Sequence, residues 1–213
     1  MSERHEVLAE FVGDRSLTVA ARKRAVRPQE LTEPRASASG PSTNSASTSD
    51  VTNVVIAGLG GQGVLTASDI VAGAAFRAGL DVKKSEVHGM SQRGGSVASD
   101  VRFGRQVLSP MVPPGEADFL LLVDPGQLEI NRNLLRPVGI LIHPGLIDPA
   151  ALASRRSLNV ALVGALSAWL GIPEQDWMAA IRASLREHLH EANLAAFETG
   201  RAAVLKQSNG AWR

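Results

Sequence analysis

From Val54 onward, apolar residues come in short bursts whose spacing alternates between strand-like and helix-like. Val54-Val55-Ile56-Ala57 is a β-rich run that ends in Gly58-Leu59-Gly60-Gly61-Gln62-Gly63, and an apolar-periodic segment of good helix formers follows at once. The pattern predicts strand, tight turn and helix. The helix is expected over 64–78, with Val64, Ala67, Val71, Ala74, Ala75 and Ala78 on its inner stripe and Gly79 as its left-handed stop. Asp81 to Val87 reads as a second strand. Its two lysines, serine and glutamate are unusual for a strand buried on both faces, so an edge position or cover by a partner is expected. A polar, glycine-studded loop over 88–95 leads to a half-buried strand over 96–104, with Val97, Val101 and Phe103 on one face and Asp100 and Arg102 opposite. Only about eight residues separate these two strands, and a parallel crossover needs a dozen or more. The pair at 82–87 and 97–103 is therefore expected to be antiparallel or irregular.

Further along, 109–115 is a proline-rich loop, 117–123 a buried strand closed by Asp124-Pro125-Gly126, 127–135 a helix and 139–142 another buried strand. Asp148 is expected to cap a short helix beginning at Pro149. Helical periodicity then covers about 160–170, 173–189 and 191–204. The expected fold is α/β: a three-layer, Rossmann-like open sheet, mostly parallel, with a helical C-terminal end. The organisation reads as an N-terminal tail over 1–35, a flexible Ser/Ala-rich linker over 36–51, a folded domain over 52–206 and a C-terminal tail over 207–213. Within the first tail, Val7, Leu8, Phe11 and Val12 form one apolar face ahead of a basic cluster at Arg22, Lys23, Arg24 and Arg27, a candidate docking segment on a mainly solvated stretch.

Composition narrows the function classes. The chain has 213 residues, enough for one domain plus a tail. A net charge of +1 points to neither nucleic acid nor a membrane surface. There is no cysteine, so no disulfide, thiolate metal site or cysteine-ligated iron–sulfur cluster can be built from this chain. No apolar run approaches the roughly 18 residues of a spanning helix, and the charged start is unlike a signal peptide, so a cytoplasmic protein is expected.

Gly58, Gly60 and Gly63 have G-x-G-x-x-G spacing: sharp turn, close approach to backbone, and close packing of helix on strand. The amides of the following helical turn would offer donors and partial positive charge to an anion or carbonyl. A P-loop requires Lys and Ser/Thr after its last glycine; Val64 and Leu65 stand there instead. A dinucleotide site requires an acid roughly 20 residues on, a distance that Asp81 and Glu86 both approximate, but also a second helix where this chain has only a loop. A stand-alone NAD(P)- or flavin-binding protein thus remains as the alternative, together with a pure assembly scaffold. His143 reads as a turn residue, and His188 and His190 as surface residues near a helix end. No metal-ligand spacing and no nucleophile–base pair is evident.

Two motifs taken together, Gly58-Leu59-Gly60-Gly61-Gln62-Gly63 and Ser85-Glu86-Val87-His88-Gly89-Met90-Ser91-Gln92-Arg93-Gly94-Gly95-Ser96-Val97, resemble the gamma-type domain of 2-oxoacid:ferredoxin (or acceptor) oxidoreductases. Within that family the small (beta) subunit of indolepyruvate oxidoreductases is most similar. Asn159-Val160-Ala161-Leu162-Val163-Gly164-Ala165 and Glu191-Ala192-Asn193-Leu194-Ala195-Ala196-Phe197 extend the resemblance over about 53–203. It implies a subunit that binds no cofactor alone. Thiamine diphosphate and [4Fe-4S] clusters are expected on large catalytic partner subunits, with coenzyme A as co-substrate and ferredoxin or another acceptor taking the electrons. The expected site is a rim where the two glycine loops meet: Gly58, Gly60, Gly61, Gln62, Gly63, Glu86, Ser91, Gln92, Arg93, Gly94 and Gly95. Free amides with Arg93 would form an electropositive lip for a carboxylate or phosphate. Glu86 is expected to hold Arg93, and His88 is the one candidate for proton transfer.

Overall fold

The computed structural model describes residues 51–88 and 94–210, with backbone alone at 88 and 207–210. The tail over 1–35 and linker residues 36–50 lie outside them. The apolar run at the head of the domain becomes β1 (Val51–Leu59), whose residues Val54–Ala57 are fully buried. Burial on both faces requires neighbours on both sides. The sheet provides them in the order β2-β3-β1-β4-β5, with β2 at Asp81–His88, β3 at Ser96–Gly104, β4 at Ala117–Leu122 and β5 at Leu135–Ile142. β1 pairs parallel with β4, and β4 with β5, whereas β3 is antiparallel to both β1 and β2. The short connection between β2 and β3 thus gives the antiparallel pair expected of it, and the polar β2 lies at an edge.

The sheet separates two unequal layers. Val54, Ile56, Val101, Phe103, Phe119, Leu121 and Ile142 face a large core shared with α1 (Val64–Arg77), α3 (Leu158–Ser167), α4 (Glu174–Ser184) and α5 (His190–Gly210). On the opposite face, Val55, Ala57, Leu120 and Leu122 are covered by Val112, Leu128 and Leu135. Leu128 opens the single-turn α2 (Leu128–Asn131), and Val112 belongs to the proline-rich loop. That loop is held by the polar face of β3. Asp100 accepts from the Val112 N–H at 2.9 Å, and Arg102 donates to the carbonyls of Ser109 (3.1 Å) and Met111 (3.0 Å) and to Asn53 Oδ1 (2.8 Å). Burial pushes the Asp100 carboxyl above its ordinary value, against the pull of the Val112 amide and Arg102.

Two expected helices differ in extent. The helix over 127–135 is reduced to α2 between 3₁₀ turns at Pro125–Gln127 and Arg132–Leu134, because β5 already begins at Leu135. β5 tolerates Pro137 because it is an edge strand. The helix over 173–189 stops at Ser184, where Leu185 is extended. His190 Nε2 lies 2.9 Å from the Leu185 carbonyl and 3.1 Å from that of Arg182. Two carbonyl acceptors require Nε2 to carry the proton, so His190 caps the C-terminal end of α4. Asp148 caps as expected, accepting from Ala150 N–H at 2.9 Å, although the turn it starts is 3₁₀.

Candidate functional site

β1, β2, β4 and β5 all run in one direction, so their carboxyl ends, and the amino end of β3, share one rim. Leu59 at the end of β1 faces Ser96 at the start of β3. This brings the two glycine motifs together. The Gly60 N–H donates to the Gly95 carbonyl at 2.9 Å, and a Cβ on Gly60 would lie 3.4 Å from Gly94 N. Gly61 (φ 91°) and Gly94 (φ 74°) occupy the left-handed region at the exposed apices, and added Cβ atoms there would meet nothing within 4 Å. These apices therefore need glycine for their backbone angles and leave open space above them.

Beneath Gly61 the turn is tightly tied. Gln62 Oε1 accepts from Leu59 N–H at 2.7 Å, the Gln62 N–H donates to the Leu59 carbonyl at 3.1 Å, and Gln62 Nε2 donates to Asp124 Oδ2 at 2.9 Å. Asp124 Oδ1 in turn accepts from Gly126 N–H at 2.8 Å. Three residues after Asp124, buried Gln127 accepts from the Ser96 hydroxyl at 2.6 Å. The segments 59–63, 94–96 and 124–127 are thereby joined in one ring of hydrogen bonds. Gly58 leaves room for it, since a Cβ there would lie 3.0 Å from Gln62 Oε1 and 2.8 Å from Val64 Cγ2. Gly63 (φ 80°) is the N-cap of α1 and has no side-chain cap among the described residues. Its carbonyl accepts from Asn159 Nδ2 at 3.1 Å, and a Cβ on Gly63 would collide with that amide.

Of the remaining expected residues, Glu86 is exposed on β2 and pairs with Lys84 at 2.7 Å. Lys84 also pairs with Asp69 at 2.5 Å, and these two carboxylates raise its pKa against the opposing cost of burial. His88 ends β2 at the rim. Ser91, Gln92 and Arg93 lie outside the described residues, and so does the expected Glu86–Arg93 pairing. Asp81 stands at the start of β2, not its end, and accepts from Val107 N–H at 2.8 Å. It lies at the opposite rim from the glycine turn and cannot serve as a ribose-binding acid there.

The residue reading missed Asp124 and missed Asn159 as a partner of Gly63, whereas His143 is the turn residue it was expected to be. Asp124 had a signal: an acid directly after the apolar run over 119–123, followed by Pro-Gly, where open α/β sheets bind ligands. His143 follows β5 at the same rim, and its Nδ1 accepts from Gly145 N–H at 3.2 Å. Burial holds its pKa below the ordinary histidine value. Among the described residues no group of three or more His, Cys, Asp or Glu could hold a metal, and no helix is long and apolar enough to cross a membrane.

Comparison with known proteins identifies the family and matches the fold. Residues 53–151 match the pyruvate ferredoxin/flavodoxin oxidoreductase family. The indolepyruvate oxidoreductase subunit IorB of Thermococcus kodakarensis is 37% identical over 188 residues, which span 70% of this chain and 93% of that protein. The subunit of the same name from Pyrococcus horikoshii is 34% identical over 197 residues, 74% and 98% of the two chains. Among solved structures, the fold is similar to the keto/oxoacid ferredoxin oxidoreductase gamma subunit of Geobacter sulfurreducens (TM-score 0.57, 22% identity, 73% of this chain and 99% of that one). It is also similar to the 2-oxoglutarate:ferredoxin oxidoreductase of Magnetococcus marinus, solved with 2-oxoglutarate, coenzyme A and succinyl-CoA bound (TM-score 0.65, 22% identity). That match takes in 74% of this chain but only 32% of the larger one.

Proposed function

Because the chain belongs to the pyruvate ferredoxin/flavodoxin oxidoreductase family, as a subunit of a 2-oxoacid oxidoreductase, we propose that it is the small, non-catalytic subunit of a thiamine-diphosphate- and iron–sulfur-dependent complex. The complex decarboxylates an aryl 2-oxoacid such as indolepyruvate oxidatively. Coenzyme A takes the acyl group, and ferredoxin or another acceptor takes the electrons. Thiamine diphosphate and [4Fe-4S] clusters, held by a large partner, supply the decarboxylation and one-electron chemistry. A chain without cysteine has no thiolates to hold a cluster, which supports that division.

The observation that carries the reading is the Gly60–Gly95 hydrogen bond, which brings two backbone-exposing turns to one rim with open space over Gly61 and Gly94. Among the described residues no side chain caps the first turn of α1, which opens on the same rim, so amide donors and the positive end of a helix dipole lie there together. This rim is the proposed lip for the carboxylate of the oxoacid or the phosphates of coenzyme A, completed by the partner, and Arg93, outside the described residues, is the proposed source of its positive charge. His88, the last residue of β2, is the candidate for proton transfer or for a hydrogen bond across the interface.

The stand-alone nucleotide-binding alternative loses support from the antiparallel β2–β3 pair, which leaves no crossover helix, and from Asp81 at the wrong end of its strand. The scaffold reading draws on one observation: the amides of Leu59 and Gly60 are already satisfied within the chain. Gly61→Val, His88→Ala and Arg93→Ala in the co-expressed complex separate the two. Normal assembly with lost turnover, or with raised KM for oxoacid or coenzyme A, is expected. Lost assembly assigns the rim to scaffolding.

A further inference from the structure

The connection from β1 leads through α1 toward β2 on one side, whereas that from β4 leads through α2 to β5 on the other. α1 lies on the large-core face and Leu128 of α2 on the opposite face. The strand order therefore reverses between β1 and β4. In open α/β sheets, such a reversal leaves a crevice beyond the carboxyl ends of the two strands, and ligands occupy it. Here the residues that follow the two strands fill that position themselves. Gln62, after β1, reaches Asp124, after β4, across a sequence separation of 62 residues.

We propose that the Gln62–Asp124 bridge closes the crevice from within and fixes the glycine turn at the angle the rim's ligand requires, so that Asp124 is a positioning residue. The chemistry of the pair is restrictive. Position 62 must accept from Leu59 N–H and donate to Asp124, which an amide can do and a carboxylate cannot. Position 124 must accept twice, from Gln62 and from Gly126 N–H, which a carboxylate can do with one oxygen each. Gly58 is part of the same device, because a side chain there would press on Gln62 Oε1. With Gln62 held, Gly61 and the first turn of α1 present their amides in one arrangement, and binding need not supply the entropy of ordering them. The inference rests on the rim reading above, and its test is built to fail separately from that reading.

The test is a double-mutant cycle in the co-expressed complex, with Gln62→Glu, Asp124→Asn and the two combined. Each single change leaves the bridge with two acceptors facing each other or with a missing acceptor. In the double variant the amide and carboxylate have changed places, so every hydrogen bond regains a donor and an acceptor at unchanged net charge. Each single variant is expected to assemble and to raise KM for the oxoacid or coenzyme A about tenfold with kcat within about twofold, and the double variant to recover to within about threefold of the parent. Single variants with parental KM, a double variant no better than the singles, or loss of assembly in all three overturns the proposal. If Gly61→Val abolishes turnover while the bridge variants behave as the parent, only this inference falls. If Gly61→Val is itself harmless, the rim reading falls.

Discussion

Where α3 crosses α5, a Cβ on Gly164 would strike the carbonyl of Phe197 and one on Gly200 that of Ala161, whereas at the rim a Cβ on Gly61 or Gly94 would meet nothing. The same residue type meets two different physical demands. At the crossing the backbone is ordinary helix and the missing atom is needed for space: Asn159–Ser167 are all buried, and Phe197 packs on Trp177 with ring centroids 5.8 Å apart. A helix buried all round belongs in a core, and its glycine bears a propensity cost that close packing offsets. At the rim space is plentiful and the missing atom is needed for the backbone angle. Changes at the crossing should therefore act on folding, and changes at the rim on function.

The largest expected effect is Gly164→Ala or Gly200→Ala. Pushing two helix backbones apart should cost roughly 3 kcal/mol or more even after the gain in helix propensity. For a domain of this size that lowers Tm by about 6–12 °C. A loss below about 2 °C in thermal unfolding followed by circular dichroism would show that the crossing is loosely packed.

Gly63→Ala tests the boundary between the two regions, since Gly63 has both a left-handed backbone and the Asn159 amide in its way. About 2–3 kcal/mol should be lost, combining backbone strain and overpacking. Asn159→Ala alone should lose about 1 kcal/mol for its hydrogen bond to Gly63. In the double variant the losses should be less than additive, because truncating Asn159 relieves the collision. Simple additivity in chemical denaturation would contradict the geometry.

Gly61→Ala should cost only about 1 kcal/mol, from the left-handed backbone alone, and Gly61→Asn less still. If either destabilises the domain as much as the Gly164 change does, the rim is packed after all and the contrast fails.

The smallest effect concerns pH. Burial lowers the pKa of His143, so the folded state binds fewer protons than the unfolded chain below the ordinary value of 6.5. Stability contributed by the neutral ring is present above 6.5 and is lost as pH falls toward the folded pKa. His143→Asn keeps an acceptor for Gly145 N–H and removes the titration, so its Tm should change less between pH 7.5 and pH 5 than that of the parent. Equal slopes would remove His143 from the account.

Much of the fold was legible because local sterics and periodicity act over a few residues. The β-rich run into glycines gave strand, turn and helix. The short connection after Val87 excluded a crossover, and the charges of β2 marked an edge. The segment at 127–135 was less legible, since its apolar spacing suits a helix while the demand for a fifth strand from Leu135 comes from Ala117 and Phe119 across the sheet. Leu185 misled for a related reason: the helix end there is capped by His190, whose role is invisible until α5 folds back.

By itself the sequence determined that two glycine turns would exist, that the second and third strands would be antiparallel, and that no cysteine chemistry could reside on this chain. Those follow from residue type, spacing and chain length. Only the tertiary structure decided that Gln62 meets Asp124, that Gly95 receives Gly60, and that Gly63 lies under Asn159, 96 residues away. Such pairings depend on strand order and register, which are set by burying both faces of the sheet at once and which no local stretch of the chain encodes.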